Sequence, residues 1–157
     1  WLGKLREMAR ERFWSAVYQV VCKKYDLPAV HAVDKFTSLC QNAIELEQIK
    51  SITRHGNLLY RILMETLPET MDTLRGEFGY FYEFEATDIN QISHIVNKKF
   101  QTLTYFGVKK SDLTNFMVEN RFFGIDNITP IGSALDIGVF WDGYDIIRSL
   151  SRTINVK

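Results

Sequence analysis

Apolar residues recur at intervals of three and four from Leu5 to Val21, through Met8, Ala9, Phe13, Val17 and Val20. That spacing is the stripe of a helix packing one face on a core, and Arg6, Arg10, Glu11 and Lys24 take the other face. Asp26-Leu27-Pro28 marks the start of a second helix, with Pro28 near the first helical position, where its missing N–H does no harm. Ala29, Ala32, Val33, Phe36, Leu39, Cys40 and Ala43 continue the stripe. At Arg54-His55-Gly56-Asn57 the pattern turns from helical to extended, and Leu58 to Leu63 is an apolar run of strand length. The chain thus divides into a helical part, residues 1–55, and an α/β part, residues 56–157, together one body or a piece of a larger one.

Phe78 to Ala86 alternates, with Phe78, Tyr80, Tyr82 and Phe84 on one side and Gly79, Phe81, Glu83 and Glu85 on the other. A period of two defines a strand. Thr87-Asp88 ends it and caps a helix carrying Ile89, Ile92, Ile95 and Val96, after which Leu103 to Val108 is a second strand. Strand, helix and strand in this order predict a right-handed crossover between parallel strands. Ser111 starts another helix through its side-chain oxygen, with Leu113, Phe116, Met117 and Val118 buried, and Gly124 stops it before a strand at Ile128 to Ile131. A tight turn and a closing helix follow through Trp141-Asp142-Gly143-Tyr144. Alternation of this kind predicts an α/β fold class, N-terminal helices followed by strand-helix-strand units.

Composition narrows the function classes. With 157 residues, 46% hydrophobic and 13% aromatic, the chain has ample core material for one domain. Lys plus Arg equals Asp plus Glu at 19 each, so net charge gives no footprint for nucleic acid or an anionic membrane. The apolar runs fall far short of the roughly 20 residues of a membrane span. Cys22 and Cys40 are isolated, without a Cys-x-x-Cys pair, a usage that suits a reducing cytoplasm.

Self-contained chemistry is sparse. The sequence lacks G-x-G-x-x-G, G-x-x-x-x-G-K-[ST], H-E-x-x-H and G-x-S-x-G. His31, His55 and His94 are far apart, without a second ligand at helical spacing, and mid-helix Cys22 and Cys40 read as core residues more readily than as nucleophiles. Glu83 and Glu85 share a strand face and read as a solvated surface, since burying two carboxylates together is costly. The aromatic run Tyr80 to Phe84 reads as core packing, because base-stacking platforms come with a basic groove.

Against this background three blocks stand out. Gln101-Thr102-Leu103-Thr104-Tyr105-Phe106-Gly107, Gly124-Ile125-Asp126 with Pro130-Ile131-Gly132, and Trp141-Asp142-Gly143-Tyr144-Asp145 resemble the C-terminal part of LuxC-type acyl-CoA reductases, the luminescence-type fatty-acid reductases of the aldehyde dehydrogenase superfamily. The order of Glu77-Phe78-Gly79, Asp88 to Val96, Leu103 to Val108, Leu113 to Asn120 and Gly124 to Gly132 is similar to the end of an aldehyde dehydrogenase catalytic domain. The resemblance covers roughly residues 75 to 152. Trp1 opens directly into a helical stripe without a methionine, so a piece of a longer enzyme is the expectation.

The resemblance implies NADPH-dependent reduction of a fatty acyl-CoA, or of an acyl group delivered by an acyl-protein synthetase partner, to the aldehyde through a cysteine thioester. That cysteine would lie outside this chain, and the full enzyme would be a cytoplasmic homo-oligomer. In the family a glutamate and an aromatic ring at the Glu-x-Phe-Gly turn contact the nicotinamide ribose and ring, which maps to Glu77 and Phe78. Trp141 and Asp142 would close the acyl or CoA channel, unless Asp142 caps the following helix and Trp141 fills an apolar notch. The competing expectation is a stand-alone, non-enzymatic α/β ligand-binding or interaction domain.

Overall fold

A mixed sheet with a helix on each face organises the first of two compact units, residues 1–95. The computed structural model describes residues 1–3 and 6–156. Helices α1 (Arg6–Lys24) and α2 (Ala29–Glu45) precede strands β1 (Ile49–His55), β2 (Leu59–Met64) and β3 (Tyr80–Phe84). The order is β1-β2-β3, with β2 antiparallel to β1 and parallel to β3. Residue pairs Tyr60 with Tyr80 and Ile62 with Tyr82 share one face of the ladder. Leu39 of α2 packs there with Tyr60, Ile62, Met64 and Tyr80. The opposite face carries Arg61, Phe81 and Glu83, and Trp14 of α1 covers it, its ring 5.0 Å from that of Phe81.

Polar groups hold the α1 face. Glu83 and Arg61 are both buried, and Arg61 Nε donates to Glu83 Oε1 at 2.8 Å. Trp14 Nε1 donates to Glu83 Oε2 at 2.7 Å, and Trp1 Nε1 donates to the same oxygen. The Arg61 guanidinium also reaches Glu11 at 3.1 Å and lies over the Trp14 ring. Next to it, Arg10 Nη1 donates to Glu85 Oε1 at 2.6 Å. The carboxylates are therefore not a solvated face, because α1 supplies a cation or an indole for each.

The remaining expectations for this unit are partly met. Pro28 is the residue just before α2, one position earlier than expected. Asp88 caps as anticipated, its Oδ1 accepting from Asn90 N at 2.7 Å while Gln91 Oε1 accepts from Thr87 N at 2.7 Å. The helix it starts, Ile89–Ile95, is a 3-10 helix. Arg54 and His55 end β1 and Gly56 to Leu58 form the hairpin turn to β2, so residues 1–55 include a strand as well as helices, and the contacts divide at Ile95 and Val96. The helical stripes are also rotated. Trp14, Lys35 and Leu39 are the buried positions of α1 and α2, whereas Met8, Val20, Val33 and Cys40 are exposed, Val33 at 64%. Cys22 is exposed too, so neither cysteine is a core residue. Leu5, counted in the first stripe, lies outside the described residues.

The second unit, residues 96–157, carries β4 (Thr102–Tyr105), α3 (Lys110–Asn120), β5 (Asn127–Pro130), β6 (Phe140–Trp141), β7 (Tyr144–Asp145) and α4 (Ile146–Leu150). β4 and β5 are parallel and joined through α3, the expected strand-helix-strand arrangement, with Leu113 and Phe116 buried. The crossover expected between β3 and β4 is not formed, since β3 pairs with β2 and β4 with β5. Ser111 does not cap α3; Lys109 precedes the helix, and Ser111 Oγ donates to Asp112 Oδ1 at 3.1 Å. The helix ends at Arg121, which takes the left-handed conformation at φ 50°, and Gly124 serves a close approach, for a Cβ there would meet Asn97 O at 2.1 Å. Among the described residues no helix is long and apolar enough to cross a membrane.

Arg61→Met would leave Glu83 buried with two indole donors and no cation. Losing one partner of a buried pair costs about 3–5 kcal/mol, so urea unfolding of this variant is expected at a markedly lower midpoint. The double variant Arg61→Met/Glu83→Leu should recover much of that loss.

Candidate functional site

The connection from β2 to β3 ends in the segment Arg75-Gly76-Glu77-Phe78, which enters β3 under unusual backbone constraint. A Cβ on Gly76 would meet Tyr80 O at 1.9 Å, and one on Gly79, at φ 85°, would meet Leu58 O at 2.3 Å. Between them Phe78 takes φ 53°, a left-handed conformation that costs a residue with a Cβ about 1–2 kcal/mol. The Phe78 ring is stacked on His31 of α2, with centroids 4.0 Å apart and planes 16° apart.

This turn and α2 enclose a cavity of about 130 Å³ lined by Asp34, Lys35, Ser38, Asn42, Arg75, Gly76, Glu77, Phe78, Tyr80 and Tyr82. That is below the range of pockets that take drug-sized ligands, and far too small for a dinucleotide. Its wall is polar. Asn42 Nδ2 donates to Tyr80 Oη at 2.8 Å and to Tyr82 Oη at 2.7 Å. Lys35, only 3% exposed, donates from Nζ to Phe78 O at 2.6 Å and Leu58 O at 3.2 Å. Burial pushes the Lys35 amine below the ordinary lysine range, and the Arg54 charge adds to this. Burial pushes both phenols up, and for Tyr82 the neighbouring Tyr80 raises it further, while Asn42 offsets part of each shift.

Glu77 and Phe78, the residues assigned to a nicotinamide cofactor, therefore stand together at this cavity, with the Glu77 side chain exposed and the Phe78 ring half-buried. An exposed carboxylate beside an aromatic ring fits the hydroxyls of one ribose, and one face of the ring is already taken by His31. Sequence reasoning missed Lys35, Asn42, Tyr80 and Tyr82 as cavity residues. The signal was present: a lysine and an asparagine in the stretch of α2 that faces the sheet, at positions 35, 39 and 42, where an apolar stripe would not admit them.

Trp141 and Asp142 lie in the other unit, on the β6–β7 hairpin. Asp142 and Gly143 have φ 50° and 78°, as the two central residues of a type I′ hairpin turn require. Asp142 is not a helix cap. Asp145 caps α4, its Oδ1 accepting from Arg148 N at 3.0 Å. Trp141 is half-buried and Asp142 exposed. Among the described residues no group of three or more His, Cys, Asp or Glu could hold a metal ion. His55 lies beside the Tyr18 ring, and the His94 ring contacts Leu67 O.

Two expectations follow from these geometries. Near-ultraviolet absorbance titration should find Tyr80 and Tyr82 ionising above the ordinary tyrosine range. The fold holds Tyr80 and Tyr82 neutral, so their contribution is intact below about pH 10 and is lost as pH rises beyond it; Tyr80→Phe/Tyr82→Phe should flatten that decline. In the hairpin, Asp142→Asn should leave the melting temperature nearly unchanged, whereas Asp142→Val should cost about 1–2 kcal/mol because a β-branched residue fits φ 50° poorly.

Compared with protein-family models, curated proteins and solved structures, the chain has no significant match.

Proposed function

We propose that these residues form the C-terminal part of an NADPH-dependent acyl-CoA reductase of the LuxC type, converting a fatty acyl-CoA, or an acyl group delivered by an acyl-protein synthetase, to the aldehyde. The observation that carries this reading is the convergence of Glu77 and Phe78 on one polar cavity at the entry to β3. The parallel β4-α3-β5 unit, which holds the Gln101 to Gly107 block on its first strand, agrees with it. NADPH, when bound, supplies the hydride. The chain's own part would be to accept ribose hydroxyls at the Glu77 carboxylate and to offer the open face of Phe78. The nucleophilic cysteine and the nucleotide-binding domain belong, in this reading, to residues other than these, in a cytoplasmic homo-oligomer. The Trp141 to Asp145 hairpin would border the acyl or CoA channel.

The test is expression of the whole coding frame in which this segment occurs, followed by an assay for NADPH oxidation coupled to fatty aldehyde formation. Activity is expected, and Glu77→Gln should raise the KM for NADPH about tenfold, the loss of one hydrogen bond to a charged group. The segment alone should transfer no hydride. A frame that yields no reductase activity and no cysteine-bearing loop would leave the stand-alone binding domain as the better account.

A further inference from the structure

We infer that Lys35 is a positioning residue, a buried latch from α2 that holds the Glu77–Phe78 turn in the conformation presented to a ligand. The inference rests on the reading of that turn as a binding element, and adds how it is kept ready.

The geometry is that of a clamp. One amine bridges two backbone carbonyls from different segments, Phe78 O at 2.6 Å and Leu58 O at 3.2 Å. Leu58 closes the β1–β2 hairpin and Phe78 opens β3, so a single side chain fixes the two ends at which the parallel pair begins. The Tyr60 ring lies 4.6 Å from Nζ and adds a cation–π contact. Phe78 needs such a hold, since its own backbone at φ 53° would relax to a negative φ if its carbonyl were released. Relaxation would break the stack on His31 and swing Glu77 away from the cavity. No apolar residue at position 35 could replace the amine, because both carbonyls would lose their donor. Arginine would not fit either, its planar fork being larger than the ammonium it replaces.

Amide hydrogen exchange tests the latch without any ligand. Tyr80 N donates to Glu77 O at 3.0 Å and Tyr60 N to Gly79 O at 2.9 Å, so these two amides report on the turn. In Lys35→Met both should exchange about tenfold faster relative to amides of the β1–β2 hairpin. In the active frame the same variant should raise the KM for NADPH with little change in kcat, as expected of a displaced contact and not of a lost catalytic group. Unchanged exchange at both amides in a folded Lys35→Met protein would overturn the latch whether or not NADPH binds; faster exchange with an unchanged KM would uphold the latch and count against the nucleotide reading instead. Should Lys35→Met not fold, the side-chain nitrogen of the unsubstituted protein decides. A slowly exchanging Lys35 Nζ that titrates below a free lysine supports the latch, and a fast-exchanging one that titrates like a free lysine refutes it.

Discussion

Everything in the first unit is arranged around the problem of burying Glu83. Its neighbours across the ladder, on α1 and at Trp1 solve it: Arg61 on β2 supplies the opposite charge, and the indole N–H groups of Trp14 and Trp1 both donate to its second oxygen. Taking these ions out of water costs several kcal/mol each, and close pairing only offsets that cost. What the arrangement provides is register. Sliding β3 by one residue along β2 would turn Glu83 to the face of Leu39 and Met64, away from Arg61 and both indoles. The parallel pairing of β2 and β3 is thereby specified, and with it the entry point of β3 and the cavity beside it.

The two faces of this sheet use polar residues differently. On the α1 face the buried polar groups are ions matched to one another, tying helix to sheet. On the α2 face Asn42 and Lys35 donate to phenol oxygens and backbone carbonyls, and the groups they reach line a cavity. Alkaline conditions act on that second face in opposite senses. The unfolded chain binds a proton at Lys35 more readily than the fold does, so stability rises with pH up to the ordinary lysine range near pH 10.4. Beyond about pH 10 the raised phenols reverse the trend.

Much of the element order was legible because long apolar runs announce buried strands. β2 and β3 follow such runs, whereas β4 and β5, four residues each, were placed only as strands on either side of α3, and the crossover was expected between β3 and β4 instead. The edge strand β1 was not, since Ile49–His55 is largely exposed and rich in Lys, Ser, Thr and Arg, without the alternation a half-buried strand shows. The helical stripes failed for a related reason: the inward positions of α1 and α2 include Trp14, Lys35 and Asn42, whose burial depends on partners far away in sequence. Glu77 and Phe78 were found only through resemblance, and nothing local in the sequence reveals that Phe78 would adopt a positive φ. Pairing of strands is a non-local choice, which explains why β3 was assigned to β4 when its partner was β2.

The Asp142–Gly143 turn gives the Trp-Asp-Gly-Tyr block a second explanation. Two consecutive residues at positive φ admit few side chains, chiefly Asn, Asp and Gly. A hairpin of two residues per strand has no other device for reversing direction, so mutational drift at these sites is confined by backbone geometry whatever the protein binds. A short motif of this kind can persist between distant sequences as the fingerprint of a bend. Its recurrence then measures shared architecture rather than shared chemistry.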